Sequence, residues 1–231
     1  MPVVGSAGVD DDRTGAPEIP SADPLDCTAA RVVDDERVPH VPDPDLVVGA
    51  VRPVHFTLGQ PWLPTPEPAF RATRVAVRFA GGVLHVDADM DDDDVFNDAT
   101  RHNERTWELG DVFEVFARRD DEERYVEVHV TPDNVRLHLR FADFAHVHRI
   151  ASIDEVAADP LAIETAAERT VRGWRARVAL PLPAAPGDVV RVSFCRYDAT
   201  RGRPPVISSS SPHPEPSFHR PREWVACRIG H

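Results

Sequence analysis

The sequence predicts an all-β protein: an antiparallel β-sandwich of immunoglobulin or jelly-roll type, with two packed sheets and little helix. Three observations predict it. Apolar residues recur at every second position over most of the chain, which is the period of a half-buried strand. These runs are short and are separated by connections rich in Pro, Gly, Asn and Asp, as in sandwiches and barrels. No stretch carries a helical period longer than two turns, and only 155–158 and 182–185 suit single turns.

The elements follow in order. Residues 1–44 hold Asp10 to Asp12 and Pro17, Pro20, Pro24, Pro39, Pro42 and Pro44. Proline at this density excludes a helix or a central strand. The reading is an extended arm, with one short strand near Ala30 to Val33, or else a disordered segment. Residues 45–231 form the sandwich. Val75, Val77 and Phe79 alternate with Arg74, Ala76 and Arg78, and Leu84, Val86 and Ala88 alternate with His85, Asp87 and Asp89. Gly81-Gly82 between them is a hairpin signal. Further runs cover Val112 to Phe116, Val126 to Val130, Val135 to Phe141, Trp174 to Leu180, Val190 to Phe194 and Trp224 to Ile229.

One hairpin has a register that can be predicted. Thr131-Pro132-Asp133-Asn134 reads as a four-residue turn. Folding about it pairs Val130 with Val135, Val128 with Leu137 and Val126 with Leu139 on an apolar face. The other face then pairs His129 with Arg136, Glu127 with His138 and Tyr125 with Arg140. It is either a solvated sheet face or a ligand-facing one.

Composition narrows the function. The 231 residues carry a net charge of −13, and all 26 basic residues are arginine. Such a surface repels phosphate backbones, so no nucleic-acid partner is expected, and neutral hydroxyl-rich ligands or cations are favoured. No apolar run approaches the ~18 residues of a membrane span. The segment MPVVGSAGVDDDRTG lacks a basic stretch followed by an apolar one. The expected location is therefore cytoplasmic, or extracellular if the true start lies upstream. Cys27, Cys195 and Cys227 have neither metal-ligand spacing nor an even-numbered framework; Cys195 and Cys227, in strand-like runs, read as buried reduced thiols.

Three constellations carry chemistry. The acidic stretch supplies Asp87, Asp89, Asp91, Asp93 and Asn97. Dense hard oxygen donors suit calcium, and a solvated acidic turn is the alternative. Trp107 stands between Thr106 and Glu108, and Phe218 stands among polar and proline residues. Loop-borne aromatics of this kind either stack on a pyranose ring or cap the ends of the sandwich. His129, His138, His146 and His148 lie near one hairpin, the last two at strand-like spacing, but no carboxylate spacing identifies a metal site among them. There is no nucleophile elbow or Gly-rich phosphate loop, and no carboxylate pair stands out for glycoside hydrolysis.

The succession GGVLHVDADMDDDDVFNDAT, WELGDVFEVF, RYVEVHVTPDN, GWRARVALPL, VRVSFCRYDATRG and FHRPREW resembles carbohydrate-binding module family 9, among the DOMON-like β-sandwiches. The resemblance covers about residues 50–231. It implies non-catalytic binding of a terminal sugar of a glucan- or xylan-type oligosaccharide, with calcium ions bracing the loops. It also implies an aromatic clamp at Trp107 and Phe218. Glu114, His129 and Arg196 would lie nearby, with Glu215 on the loop before Phe218. Phe218 replaces a tryptophan of the family pattern, and His129 replaces a basic residue. Three other readings stand beside this one. They are a structural or interaction sandwich without sugar binding, a DOMON-type haem domain using Met90, and a sugar hydrolase or lyase with unidentified acids.

Overall fold

The computed structural model describes residues 46–230. The expected arm, its short strand near Ala30 to Val33, and Cys27 lie outside the described residues.

Alternation builds two sheets. The larger contains β1 (Val47–Val48), β5 (Val112–Arg119), β6 (Tyr125–Val130), β7 (Arg136–Phe141), β10 (Val189–Asp198), β11 (Val206–Ser209) and β12 (Val225–Ile229). Its order is β1-β12-β10-β5-β6-β7, and β11 also pairs with β10. The smaller contains β2 (Val54–Thr57), β3 (Thr73–Ala80), β4 (Val83–Asp91), β8 (Glu164–Thr170) and β9 (Gly173–Pro181), in the order β2-β3-β4-β9-β8. All pairings are antiparallel except β1 with β12. The antiparallel sandwich expected from the sequence is the fold observed. Gly81 and Gly82, both at positive φ, close the β3–β4 hairpin as their pairing suggests.

The two sheets meet through the predicted apolar sets. Val75, Val77, Leu84, Val86, Trp174 and Val178 face Phe113, Val115, Val128, Val130, Val192 and Phe194. Phe113 stacks on Phe194, with centroids 6.4 Å apart. Burying each such side chain contributes about 1.5–3 kcal/mol.

The far face of the larger sheet is also covered. Val112, Phe116, Tyr125, Leu137, Leu139, Phe141, Cys195 and Tyr197 pack under Trp107, Val147, Ile153, Val156, Phe218 and Trp224 from the connections. A sandwich sheet commonly leaves that face to water, so the second core is not visible in the strand pattern alone.

This double burial accompanies a correction at the β6–β7 hairpin. The observed register pairs Val130 with Arg136, His129 with Leu137, Val128 with His138, Glu127 with Leu139 and Tyr125 with Phe141. It is displaced by one residue from the predicted pairing. The reason is a five-residue connection. Asn134 adopts φ 59°, Thr131 N–H donates to the Val135 carbonyl (3.0 Å), and Val135 N–H donates to Thr131 Oγ1 (3.0 Å). Polar and apolar residues therefore share each face. A slip of this kind is strongly disfavoured where one face is wet, but here both faces are packed.

Smaller corrections concern helices. His146 lies in the one-turn helix α1 (Phe144–Val147) and His148 caps it, rather than lying on a strand. Asp143 Oδ1 accepts from His146 N–H (2.7 Å) and starts that turn. A 3-10 turn occupies Ile153–Glu155, and none forms at 182–185. Cys195 and Cys227 are buried free thiols, as expected. Met90 is fully buried in the inter-sheet core. Among the described residues no helix is long and apolar enough to cross a membrane.

The left-handed residue at the β6–β7 turn makes a prediction. Asn134→Val should cost about 1–2 kcal/mol, because a β-branched residue resists positive φ. Asn134→Gly should cost less, losing mainly the 2.7 Å bond that Asn134 Oδ1 accepts from Thr165 Oγ1. Urea midpoints of the two variants would check the order, and equal values would contradict the turn.

Candidate functional site

Strand alternation places Glu114 on β5 and Glu127 and His129 on β6, all pointing to the far face of the larger sheet. Glu114 sits directly opposite His129. A connection folds over them. Asn97 holds it: its side chain donates to the carbonyls of Thr106 (2.9 Å) and Asp111 (3.1 Å) and accepts from Ala99 N–H (2.9 Å). Gly110, at φ 143°, passes so close that an added Cβ would lie 2.5 Å from the Phe96 carbonyl oxygen. These constraints set the 3-10 turn Thr106–Glu108 over the sheet.

The result is a buried polar cluster. His129 Nε2 lies 2.6 Å from Glu127 Oε1 and 3.2 Å from Glu114 Oε1. His129 Nδ1 lies 2.9 Å from Thr106 Oγ1. The Trp107 ring meets the His129 ring edge-on, 5.5 Å between centroids. On the other side, His219 Nε2 is 3.5 Å from Glu127 Oε2, and His219 Nδ1 is 2.9 Å from the Tyr125 hydroxyl.

Charge is distributed unevenly here. Burial pushes Glu114 up to about 8, against the pull of the His129 charge. Burial opposes ionisation of Glu127 too, but His219 and His129 outweigh it and hold Glu127 below its usual range. Burial also works against a charged His129, yet Glu114 and Glu127 prevail and raise it. Burial lowers His219. An ionised Glu127 beside a charged His129, with a protonated Glu114, satisfies these directions together. Three polar atoms stay without a hydrogen-bond partner among the described residues: Trp107 Nε1, Glu114 Oε2 and Glu127 Oε2. Orphaned buried polar atoms are costly, and in native proteins they call for an explanation.

The six residues expected at a sugar site divide into two groups. Glu114, His129 and Trp107 come together, and Phe218 joins the same packed layer. Trp107 and Phe218 are 6% and 5% exposed, so they are not the open facing pair the clamp called for. Phe218 instead packs against Trp62, Tyr197 and Phe116. Arg196 and Glu215 lie elsewhere. Glu215 is an exposed ion-pair partner of Arg220. Arg196 points to the inter-sheet side, where it contacts Asp92 (2.9 Å), Asp198 (3.0 Å) and the Asp91 carbonyl (2.8 Å).

The five residues expected to hold calcium are not gathered. Asp87, Asp89 and Asp91 alternate along the outer face of β4 and pair with arginines of neighbouring strands and turns: Arg78 and Arg177, Arg175, and Arg172. Asp93 pairs with Arg71 at 2.6 Å. Asn97 is spent on the loop brace. The aspartates that do converge are Asp92, Asp111 and Asp198, around Arg196. Sequence reasoning missed Asp111 and Asp198. It also left out Glu127, although its position two residues before His129 already placed the two on one face.

No protein-family model matches the chain, and no curated protein matches it. Solved structures do. A candidate carbohydrate-binding protein from Bacteroides uniformis aligns at TM-score 0.65 and 15% identity, covering 80% of this chain and 98% of its own. A family 9 carbohydrate-binding module from Caldicellulosiruptor kristjanssonii, solved with cellotriose, aligns at TM-score 0.55 and 13% identity, covering 80% and 93%. The chain has the fold of a family 9 carbohydrate-binding module. The same kind of module from that organism, solved with glucose, aligns at TM-score 0.56, again at 13% identity and covering 80% of this chain and 96% of its own. At these identities the likeness concerns the fold.

The aspartate group makes a prediction. Burial, followed by the Asp92 charge, raises Asp111 to about 7. Burial also raises Asp198 to about 7, against the pull of Arg196. The unfolded value is about 3.9, so the folded chain holds protons that the unfolded chain releases. Their contribution is full below about pH 4 and is lost as pH rises to about 7. Each group should remove about 1 kcal/mol per pH unit while it titrates. Asp198→Asn should flatten the fall in denaturant midpoint over that window, and a slope unchanged from wild type would contradict the assignment.

Proposed function

We propose that this chain is a non-catalytic carbohydrate-binding domain whose ligand engages the polar cluster beneath Trp107. The observation that carries the reading is the set of buried unpartnered atoms on one sheet face. Glu114 Oε2 and Glu127 Oε2 make no hydrogen bond among the described residues, although His219 Nε2 stands 3.5 Å from the latter, and Trp107 Nε1 is a donor without an acceptor. A sugar hydroxyl supplies both roles at once. In this reading the turn Thr106–Glu108 opens to admit the ligand, because the Trp107 ring is 6% exposed; the ring then packs on the C–H face of a pyranose, and His129 and Glu114 fix its hydroxyls. Phe218 and the partly exposed Trp62, with ring centroids 6.3 Å apart, form a second aromatic wall. The fold shared with proteins solved with cellotriose and glucose supports a glucan-type oligosaccharide as ligand, with a xylan-type one beside it from the sequence resemblance.

A second reading is a structural sandwich without sugar binding. The observation favouring it is the packing of Trp107 into its own domain.

Tryptophan fluorescence separates the two. Titration with cello- and xylo-oligosaccharides should give a saturable shift, and Trp107→Ala should weaken binding by at least about tenfold, or about 1.4 kcal/mol. Repeating the titration with calcium and with chelator tests the expected calcium role. Absence of any shift in the wild type would favour the structural reading. A shift retained in Trp107→Ala would move the site elsewhere.

A further inference from the structure

We propose that Glu114, Glu127 and His129 form a binding site for one divalent first-row transition ion of the zinc type. One carboxylate oxygen from each glutamate and one ring nitrogen of His129 lie within 4.8 Å of one another. Zinc binds such atoms at about 2.0–2.2 Å, so ligands around it stand only a little over 3 Å apart. His129 Nε2 already stands 2.6 Å from Glu127 Oε1 and 3.2 Å from Glu114 Oε1, close to that spacing. The cluster's backbone is fixed, because Glu114 and His129 are cross-strand partners and Glu127 is two residues along the same strand.

Three further features point to a cation rather than to a closed hydrogen-bond network. Glu114 Oε2 and Glu127 Oε2 have no hydrogen-bond partner, although both residues are more than nine-tenths buried. Two carboxylates converge on one ring nitrogen, His129 Nε2. Something positive must stand between them, either a proton on that nitrogen or a metal in its place. Thr106 Oγ1 is placed to accept the Nδ1 proton of His129, which leaves Nε2 free to coordinate. Metal-bound histidines are usually held this way by an outer partner on the other nitrogen. His219 Nε2, 3.5 Å from Glu127 Oε2, is in reach as a fourth donor.

The donor set selects the ion. Imidazole with two carboxylates suits zinc and its first-row neighbours. Calcium prefers six to eight oxygens, which this cluster does not supply. Binding displaces the Nε2 proton of His129 and the carboxyl proton of Glu114 to solvent, so that both glutamates ligate as carboxylates.

This inference stands on the cluster itself and does not rest on the sugar reading. The test is calorimetric titration of Zn2+ into the full chain after chelator treatment, with Co2+ absorption as a second readout of coordination. One equivalent should bind, with a ligand-field band for Co2+. Glu127→Gln and Glu114→Gln, which keep side-chain shape, should each weaken binding by at least about tenfold. A His146→Ala/His148→Ala double variant should bind as wild type. Circular dichroism melts confirm that each variant is folded. No saturable binding below about 1 mM would overturn the proposal, as would binding unchanged in both glutamine variants. Sugar titration run separately in chelator keeps the two readings apart: zinc without sugar binding leaves this site standing, and sugar without zinc removes it.

Discussion

The structure depends on the burial of its larger sheet on both faces. One face packs against the smaller sheet through valine, leucine and phenylalanine. The other lies under connections that carry Trp107, Phe218 and Trp224. Water is therefore excluded from side chains that strand alternation would otherwise leave wet. Any polar group on that face must find its partner inside the protein. Glu114, Glu127 and His129 answer to that constraint, and their shifted protonation follows from it.

The same constraint reorganises the connections. A long loop between β4 and β5 can lie flat on a sheet only if its own backbone groups are satisfied. Asn97 and Asp111 do this by accepting and donating across the loop base. Trp107 is thereby held against His129 rather than projecting into solvent. The chain segment around Phe218 is anchored in a similar way, with Trp224 Nε1 donating to the Phe218 carbonyl at 2.9 Å. The smaller sheet is treated differently. Its outer face stays in water and alternates carboxylates with arginines across β3, β4, β9 and β8. Exposed pairs of this kind contribute little individually, but they keep like charges apart on a chain of net charge −13.

Two buried charge groups therefore occupy the two sides of one sheet. On the far side, a histidine is shared by two glutamates. On the inter-sheet side, an arginine is shared by Asp92 and Asp198, with Asp111 close by. The second group ties the start of the β4–β5 loop to the end of β10, so it supports the first by fixing the frame from which Trp107 hangs. A ligand reaching the far-side cluster meets groups already oriented by strands, which keeps the entropic cost of ordering them low.

Strand identity and the antiparallel sandwich were legible in the sequence, because a period of two is a local property set by backbone geometry. Val75 to Phe79, Leu84 to Ala88 and Trp174 to Leu180 announce their buried faces without help from the fold. β8 was not legible: its residues Glu164 to Thr170 lie at an exposed edge and show no apolar alternation. The placing of Glu114 opposite His129 needed the observed β5–β6 pairing, and the one-residue slip of β7 follows from a turn at Asn134 one residue longer than the sequence suggests. The depth of Trp107 and Phe218 was equally hidden. A loop aromatic among polar neighbours looks exposed in sequence, and only the packing of loops on a second sheet face decides that it is buried. The acidic run from Asp87 to Asp94 was the plainest signal and the most misleading one. Alternation sends Asp87, Asp89 and Asp91 to an arginine-lined surface, and only Asp92, past the end of β4, turns inward to a buried partner.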